Sequence, residues 1–267
     1  MNKSLIALAL VGAFAVPAFA QTAAPAAEAA PASPHTFTGN VGFVSDYIFR
    51  GISQTQNKPA LQGGFDYSHS SGLYVGTWAS NVNWVRDTGF KTENSLEMDF
   101  YGGFRGGFAG DFTYDVGFLQ YYYPGDRVTN VNNTNSQEIY ASMGWKFISL
   151  KYSHTISPYL FGWQSTTGEK TSGSGYIDLA MNYDVGGGWG INAHLGRQFI
   201  KNYSYASYTD WKLGVTKDVG VGVVGLAYTD TNAKSCGDTG ELEAYCWPAG
   251  GKDVGRGRAV ISFSKTF

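Results

Sequence analysis

The sequence predicts an all-β protein, a transmembrane up-and-down antiparallel β-barrel of about 12 strands with short turns at one end and long loops at the other. Three observations lead to this prediction. Segments of roughly ten residues place apolar side chains at every second position, which is the period of a strand. The connections between these segments alternate between long and short. The chain also begins with the features of an export signal.

The first 20 residues have the pattern of a secretory signal peptide. Lys3 supplies a positive charge, LIALALVGAFAV is apolar, and the small residues of AFA precede Gln21. Such a segment is cleaved on export, here near Ala20, and it is too short for a membrane anchor, although a buried N-terminal helix is the alternative. Residues 21–35 are rich in Ala and Pro and are expected to form a periplasmic linker. Residues 36–267 are left for the barrel.

The composition of the chain narrows the possible classes of protein. It contains 36 Gly, 18 Tyr, 17 Phe and 7 Trp, and its formal net charge is −2. Loss of Lys3 with the leader makes this −3, so a nucleic-acid partner is not expected. The longest later apolar run, VGVGVVGLAY, is shorter than the ~18 to 20 residues of a transmembrane helix. A chain without such helices crosses a membrane only as a closed barrel.

Five segments in the first half of the chain alternate as strands do. In order they are FTGNVGFVSDYIF, ALQGGFDYS, GLYVGTWASN, SLEMDFYGGF and FTYDVGFLQYY. In the second of these, Leu61, Phe65 and Tyr67 share one face while polar residues occupy the other. The first is expected to run as one strand to Phe49, with Tyr47 also on the apolar face. GLYVGTWASN is ambiguous, because both of its faces carry large apolar side chains.

Seven further segments complete the set. They are QEIYASMGWK, ISLKYSHT, YIDLAMNYD, INAHLGRQF, DWKLGVTK, VGVVGLAYT and RAVISFSKTF. The last places Ile261, Phe263 and Phe267 on one face, so Phe267 is expected at a membrane–water boundary. This end resembles the terminal-aromatic signal that directs outer-membrane barrels to their assembly machinery. The expected partners are therefore this machinery, outer-membrane lipid and lipopolysaccharide. An ordinary apolar edge strand is the alternative, disfavoured because an open edge invites aggregation.

The connections between the predicted strands alternate in length. The long ones are 51–59, 82–94, 123–136, 158–174, 200–207 and 232–254, and the short ones lie near 69–71, 106–110, 147, 185–188 and 218–220. Bacterial outer-membrane barrels have short periplasmic turns and longer outer loops, and an even strand number places both chain ends on the periplasmic side. The pattern therefore predicts a barrel in the outer membrane of a Gram-negative bacterium.

One stretch of the chain resembles a known family. SDYIFRGISQTQNKPALQGGFDYSHSSGLYVGTWASN, residues 45–81, is similar to the TorF-type porin family, bacterial proteins of unknown function. The similarity continues through Glu97, Asp99 and Tyr101-Gly102-Gly103, and the later strands match mainly in pattern. The resemblance implies an outer-membrane barrel with a channel role, but it implies no particular ligand.

The polar parity of each strand is expected to face the lumen. The predicted pore-lining residues are Asp46, Arg50, Asp66, Glu97, Asp99, Arg105, Asp115, Glu138, Lys146, Lys151, Asp178, Asp210, Lys212 and Arg258. Such charges either form rings that set ion selectivity or pair across the lumen and fill it. Asp46, Arg50 and Asp66 are the best candidates for a constriction or an internal ion-pair network. The slight excess of acids favours cations.

Two cysteines lie in the longest predicted outer loop. Cys236 and Cys246 are close in sequence in an exported chain, so a disulfide is expected between them. Neither a metal site nor a cofactor is expected, because no further Cys or His is near. The carboxylates Glu97 and Asp99 share a strand face, but a glycosidase acid/base pair is disfavoured because no sugar-binding cleft is predicted.

The sequence thus favours a channel for passive diffusion of small polar solutes or ions. The alternative is a closed barrel with a structural or adhesive role carried by its outer loops. An outer-membrane phospholipase is a weaker rival, based on His69, Ser71 and Asn83. Ser71 falls in a short turn and Asn83 a whole strand later, roughly 40 Å away at ~3.3 Å per residue. The chain is therefore not expected to be an enzyme.

Overall fold

The structure of the chain is a computed structural model that describes residues 33–237, 244–247 and 251–267. The predicted signal peptide and most of the predicted linker lie outside the described residues. The strands are β1 (His35–Val44), β2 (Ile48–Phe49), β3 (Ile52–Ser53), β4 (Ala60–His69), β5 (Leu73–Asn81), β6 (Leu96–Phe108), β7 (Phe112–Tyr122), β8 (Ser136–Trp145), β9 (Ile148–Thr155), β10 (Gly175–Gly186), β11 (Trp189–Phe199), β12 (Tyr208–Asp218), β13 (Val223–Thr231), β14 (Cys246–Trp247), β15 (Lys252–Asp253) and β16 (Arg258–Thr266). Helix α1 (Trp84–Asp87) and a 3-10 helix (Ser204–Ala206) are short.

The long strands form a closed antiparallel barrel. Around it the order is β1, β16, β13, β12, β11, β10, β9, β8, β7, β6, β5 and β4, so most neighbours in the barrel are also successive along the chain. β1 closes the ring by pairing with β4 on one side and with β16 on the other, where Asn40 lies opposite Thr266. Phe267 continues this pairing, because its N–H donates to the Gly39 carbonyl at 2.8 Å. The predicted 12-strand barrel is confirmed.

The two faces of the barrel differ as the period-two pattern predicts. Large apolar side chains on the outer wall are exposed, among them Leu61, Phe65, Leu150, Leu195, Leu213, Leu226 and Ile261. The alternate positions face inward and are mainly polar or tyrosine. In the ambiguous β5, Leu73 and Val75 face outward while Tyr74 is buried in the lumen. Because an apolar belt around a closed barrel is stable only against lipid, the outer wall is that of a membrane-spanning barrel.

The two ends of the barrel differ in the length of their connections. One end, here called the short-turn end, has the connections 70–72, 109–111, 146–147, 187–188 and 219–222, the start of β1 and the end of β16. The other, here called the long-loop end, has the connections 45–59, 82–95, 123–135, 156–174, 200–207 and 232–257. A disulfide joins Cys236 and Cys246 in the last of these, with Cα atoms 4.9 Å apart, as predicted. Across the described ranges no helix is long and apolar enough to cross a membrane.

The first long connection departs from the predicted strand. β1 ends at Val44, and residues 45–59, here called the lumen segment, turn into the barrel. The expectation that Tyr47 lies on the outer apolar face is therefore wrong, because its side chain is 1% exposed inside the lumen. Local alternation did not distinguish an outward position from one buried inside, since both accept an aromatic ring.

Candidate functional site: a segment that crosses the lumen

The lumen segment contains a short β-hairpin with a two-residue turn. β2 and β3 pair antiparallel, and Arg50 and Gly51 form the turn between them with φ of 47° and 78°. Two successive residues with positive φ are the requirement of a type I′ turn, one of the favoured two-residue hairpin turns. Gly51 is needed here for a second reason, since an added Cβ would meet the side chains of Thr231 and Asp210 on the lumen wall. The turn therefore presses directly against the inside of the barrel.

Arg50 projects from this turn and binds residues on β8 and β11 of the lumen wall. Its two terminal nitrogens donate to the Glu138 carboxylate at 3.0 and 2.7 Å, and one also donates to Gln198 Oε1 at 2.9 Å. The guanidinium lies 4.8 Å from the ring centroid of Phe49 and 4.5 Å from that of Tyr176. The Arg50 and Glu138 side chains are 7% and 1% exposed, so this is a buried, bidentate ion pair.

Tyr47 attaches the segment to a second part of the wall. Its hydroxyl donates to Glu97 Oε1 at 2.6 Å, while Tyr123 donates to Glu97 Oε2 at the same distance. The Tyr47 ring meets Trp78 edge to face, with centroids 5.5 Å apart. Asp99 follows two positions after Glu97 on the same strand. Its Oδ1 atom is buried and makes no hydrogen bond among the described residues.

Asp46 holds the base of the segment. Its Oδ1 accepts hydrogen bonds from the hydroxyls of Ser53 at 2.6 Å and Thr55 at 2.9 Å. Its Oδ2 accepts from Arg258 on β16 at 2.9 Å, and Arg258 also donates to Asn57. Together with Arg50 and Tyr47, these contacts reach β6, β8, β11 and β16. The segment therefore fills the lumen at the long-loop end.

A second set of interactions lines the lumen beyond the segment. The Tyr74 hydroxyl donates to Asp115 at 2.6 Å and shares a hydrogen bond with the Tyr140 hydroxyl. The Arg105 guanidinium lies 4.7 Å from the Tyr74 ring, and the Lys151 ammonium lies 4.0 Å from the Tyr140 ring. Each member of this tyrosine pair thus has a cation against its ring.

The remaining lumen carboxylates also have partners. Tyr101 donates to Asp66 at 2.6 Å. His194 lies between Asp178 and Asp210, with ring nitrogens 3.1 and 3.5 Å from their oxygens. Asp210 is fully buried and is the wall residue against which the Gly51 turn packs. The lumen charges are therefore largely matched with one another or with tyrosines.

The lumen is different towards the short-turn end. There the inward positions carry small polar side chains that are only partly buried, including Thr38, Asn40, Ser142, Asn182, Asn192 and Ser264. Small hydrophilic groups leave space and bind water. The lumen therefore changes from a packed half at the long-loop end to a more open polar half at the other.

Most of the predicted pore-lining residues do face inward. Those on the barrel strands are Asp66, Glu97, Asp99, Arg105, Asp115, Glu138, Lys151, Asp178, Asp210, Lys212 and Arg258. Asp46 and Arg50 reach the lumen from the segment instead of from a strand. Lys146 does not line the lumen: it has φ of 54° in the turn after β8, and its ammonium lies 4.9 Å from the ring of the outward-facing Trp145.

Asp46, Arg50 and Asp66, the predicted candidates for a constriction or an internal ion-pair network, do not pair with one another. Each has its own partner, respectively Arg258, Glu138 and Tyr101. Asp46 and Arg50 reach β16 and β8 because the segment crosses the lumen instead of following β1. Gln198 and Tyr176, which hold Arg50, were not among the predicted site residues. The only local signal for the hairpin was Arg-Gly between Ile48-Phe49 and Ile52-Ser53.

The residues of the phospholipase alternative are not brought together. His69 Nδ1 and the Ser71 hydroxyl lie 2.8 Å apart in a turn at the short-turn end. Asn83 lies at the long-loop end, where it donates to the Thr55 carbonyl at 3.2 Å. Among the residues that the structure describes, no group of three or more His, Cys, Asp or Glu could hold a metal ion.

The fold and the lumen define a 12-strand membrane barrel with a loop folded into it, and comparisons with known proteins assign a family. The profile of a bacterial family of unknown function, Gcw_chp, matches residues 28–267. The chain belongs to this family. The resemblance noted in the sequence is supported in part: the match is to a bacterial family of unknown function, and the TorF-type assignment is not shown. No curated protein sequence matches the chain.

Solved structures of porins share the fold. A NanC porin is 11% identical and covers 86% of this chain and 98% of its own, with a TM-score of 0.53. A KdgM porin is 7% identical over 86% and 98% of the two chains, with a TM-score of 0.52. A KdgM porin in complex with disordered oligogalacturonate is 6% identical over 87% and 98%, with a TM-score of 0.51. At such identities the likeness is one of architecture.

Proposed function

We propose that the chain is an outer-membrane channel for small polar solutes or ions, and that the lumen segment is its constriction. The observation that carries the proposal is the contrast between the apolar outer wall and an inner wall of charged, amide, hydroxyl and tyrosine groups. A polar inner wall is what the water-filled lumen of a porin requires. The porin fold of the structural neighbours supports this role.

The packing of the lumen segment predicts a narrow or gated path. Tyr47, Glu97 and Glu138 are each at most 2% exposed, so water does not reach them at the long-loop end. The segment also has apolar contacts, because Tyr47, Ile48 and Ile52 belong to the buried apolar clusters at the long-loop end and Phe49 packs edge to face on two aromatic rings. Polar and apolar contacts therefore both oppose its displacement. We therefore expect small, intermittent openings when the segment moves.

The charge of the lumen argues against large anions as solutes. Acids outnumber bases on the inward faces, since Asp66, Glu97, Asp99, Asp115, Asp178 and Asp210 are not balanced by Arg105, Lys151 and Lys212. The KdgM neighbour whose complex contains oligogalacturonate binds an acidic sugar chain. The solutes we propose here are small neutral molecules or cations, because an acid-lined pore repels anions.

A closed barrel that acts through its outer loops is the second candidate. The observation in its favour is the same buried contact between Arg50 and Glu138, since ion pairs across a small barrel fill it. The two candidates differ in what happens when the segment is released. A channel should conduct more, whereas a closed barrel should only lose stability.

Single-channel recording of the refolded protein in a planar bilayer tests the proposal. We expect the wild type to give small discrete openings and Arg50→Met to give larger or more frequent ones, because the turn loses Glu138. Arg86→Met is the matched control, since Arg86 pairs with Asp87 outside the lumen and is 45% exposed. Folding of each variant is checked by heat-modifiable migration. A folded wild type and a folded Arg50→Met that both remain silent would overturn the channel in favour of the closed barrel.

The terminal residue is proposed to act in assembly. Phe267 is 69% exposed on the outer wall, and the Lys265 ammonium lies 5.3 Å from its ring. Its backbone bonds to Gly39 do not need the ring. Phe267→Ala should therefore slow membrane insertion in cells without lowering the stability of the refolded barrel, and equal insertion of Phe267→Ala and wild type would contradict a signal at this position.

A further inference from the structure

A cavity of about 720 Å³ lies on the outer wall of the barrel at the long-loop end. Its lining includes Phe100, Gln120, Tyr122, Arg127, Gln137 and Tyr159. Phe100 and Tyr122 point outward and are 44% and 41% exposed. The residue before Tyr122, Tyr121, points into the lumen and is buried. The cavity therefore opens away from the lumen and is separate from the constriction.

The cavity sits at the upper edge of the apolar belt. In the register of the barrel Gln120 lies opposite both Phe100 and Gln137, so these three residues form one level across β6, β7 and β8. Two residues further along the same strands, towards the short-turn end, the outward positions are Phe118 and Ile139, both exposed apolar side chains. Because an amide is costly in hydrocarbon, this level marks the change from lipid tails to headgroups.

The side-chain amides in the cavity are held by hydrogen bonds, and some of their donor and acceptor groups remain free to bind a ligand. Gln137 Nε2 donates to Gln120 Oε1 at 2.8 Å. The Asn133 side-chain oxygen accepts from the Asn135 N–H at 3.0 Å, and the Asn135 oxygen accepts from the Tyr123 N–H at 2.9 Å. Gln137 Oε1 and the side-chain amino groups of Asn133 and Asn135 make no hydrogen bond within the described ranges. An occupant with hydroxyl and amide groups would satisfy them.

The cavity also carries a net positive charge, since Arg127 and the neighbouring Lys91 outnumber Asp126. Arg127 is exposed and takes part in no ion pair among the described residues. The neighbouring Lys91 donates to the Gly125 carbonyl at 2.7 Å. Burial and then the charge of Arg127 lower the pKa of Lys91, with Asp126 opposing them. A region in which two cations lie close together favours an anionic group.

We propose that this cavity binds the phosphorylated saccharide headgroup of a membrane glycolipid, with the phosphate at Arg127, the sugar hydroxyls at the amides of Gln137, Asn133 and Asn135, and the acyl chains on Phe118 and Ile139. A lipid fits better than a free sugar phosphate because the polar cavity is continuous with the apolar belt. The inference rests on the outer-membrane location proposed above, but it does not require that the barrel conducts.

Native mass spectrometry of the purified protein in detergent tests the site. The probes are diphosphorylated lipid A, phosphatidylglycerol and soluble glucosamine 1-phosphate. We expect one tightly bound lipid A, weaker phosphatidylglycerol and no retained glucosamine 1-phosphate. Arg127→Glu should weaken lipid A binding roughly tenfold or more, since a charge-assisted contact is replaced by repulsion. Arg256→Glu, an exposed arginine in another long connection, is the matched control and should bind as the wild type does.

Several outcomes would overturn the inference. Equal retention of lipid A and phosphatidylglycerol would mean an unspecific anionic contact, and equal binding of glucosamine 1-phosphate would mean a soluble ligand. Wild-type binding by Arg127→Glu would exclude the cavity, and Arg127→Gln serves if the glutamate variant does not refold. Channel openings are recorded from the same samples. Because the cavity lies outside the lumen, Arg127→Glu should leave them unchanged, so loss of lipid binding and loss of conduction are separable.

Discussion

Arg50 shows how one residue positions a whole segment. It occupies a turn with positive φ, and its guanidinium is held by Glu138, Gln198 and two aromatic rings. A buried ion pair contributes little net stability, because removing two charges from water offsets their attraction. What the pair provides is position, because a bidentate contact fixes the orientation of both groups.

Removing one member of the ion pair should lower the stability of the barrel more than removing both members. Arg50→Met leaves Glu138 buried without its partner, which should lower the free energy of unfolding by about 3–5 kcal/mol. The double variant Arg50→Met with Glu138→Leu should recover part of that loss. The measurement is urea unfolding in lipid vesicles followed by tryptophan fluorescence. Arg86→Met, which breaks an exposed pair, should change stability by less than about 1 kcal/mol; a similar value for Arg50→Met would refute the positioning role.

At the scale of the strand, adjacent residues experience opposite surroundings. On β11 Leu195 is 54% exposed on the outer wall, while His194 faces Asp178 and Asp210 inside. The difference arises from the period of two, because each residue points opposite to its neighbour. The same charge should therefore have different effects at these two positions.

Leu195→Arg should destabilise the barrel far more than His194→Arg. A charge on the lipid face near the middle of a strand costs about 2–4 kcal/mol, whereas an arginine at 194 stays within reach of two carboxylates. Unfolding free energies and the folded yield after refolding into vesicles measure both effects. Equal losses for the two variants would mean that the assigned lipid and lumen faces are wrong.

The disulfide should stabilise its loop without supporting the barrel. Cys236 and Cys246 are ten positions apart within one connection, and no barrel strand pairing depends on them. Reduction should leave heat-modifiable migration unchanged and increase protease cleavage between β13 and β16. Mass spectrometry verifies reduction, and a Cys236→Ser, Cys246→Ser variant controls for the reductant. Loss of the folded band on reduction would contradict this independence.

At the scale of the molecule, the excess of lumen acids should appear in the ion selectivity. If openings are observed, their reversal potential in a salt gradient should indicate a preference for cations. Asp66→Lys replaces a lumen carboxylate and should shift the potential towards anions. Glu93→Lys makes the same change on an exposed long connection and should shift it much less. An unchanged potential in Asp66→Lys would mean that ions do not pass this part of the wall.

The sequence predicted the barrel well and the lumen only in part. Period-two alternation assigned Leu195 and Ile261 to the outer wall, because a strand's two faces are encoded in consecutive residues. It misplaced Tyr47, whose apolar ring suits lipid or a packed interior equally. It also placed Lys146 inside, since parity alone does not reveal that a strand ends one residue earlier, at Trp145.

The amino-acid sequence by itself determined the closed barrel, its two kinds of connection and the polar inner wall, because these follow from alternation and turn residues within about ten positions of one another. Only the tertiary structure decided the path of residues 45–59. The partners of Tyr47, Arg50 and Asp46 are Glu97, Glu138 and Arg258, at separations of 50, 88 and 212 residues. No local pattern specifies such pairs, since closure of the barrel is what brings these strands around one lumen.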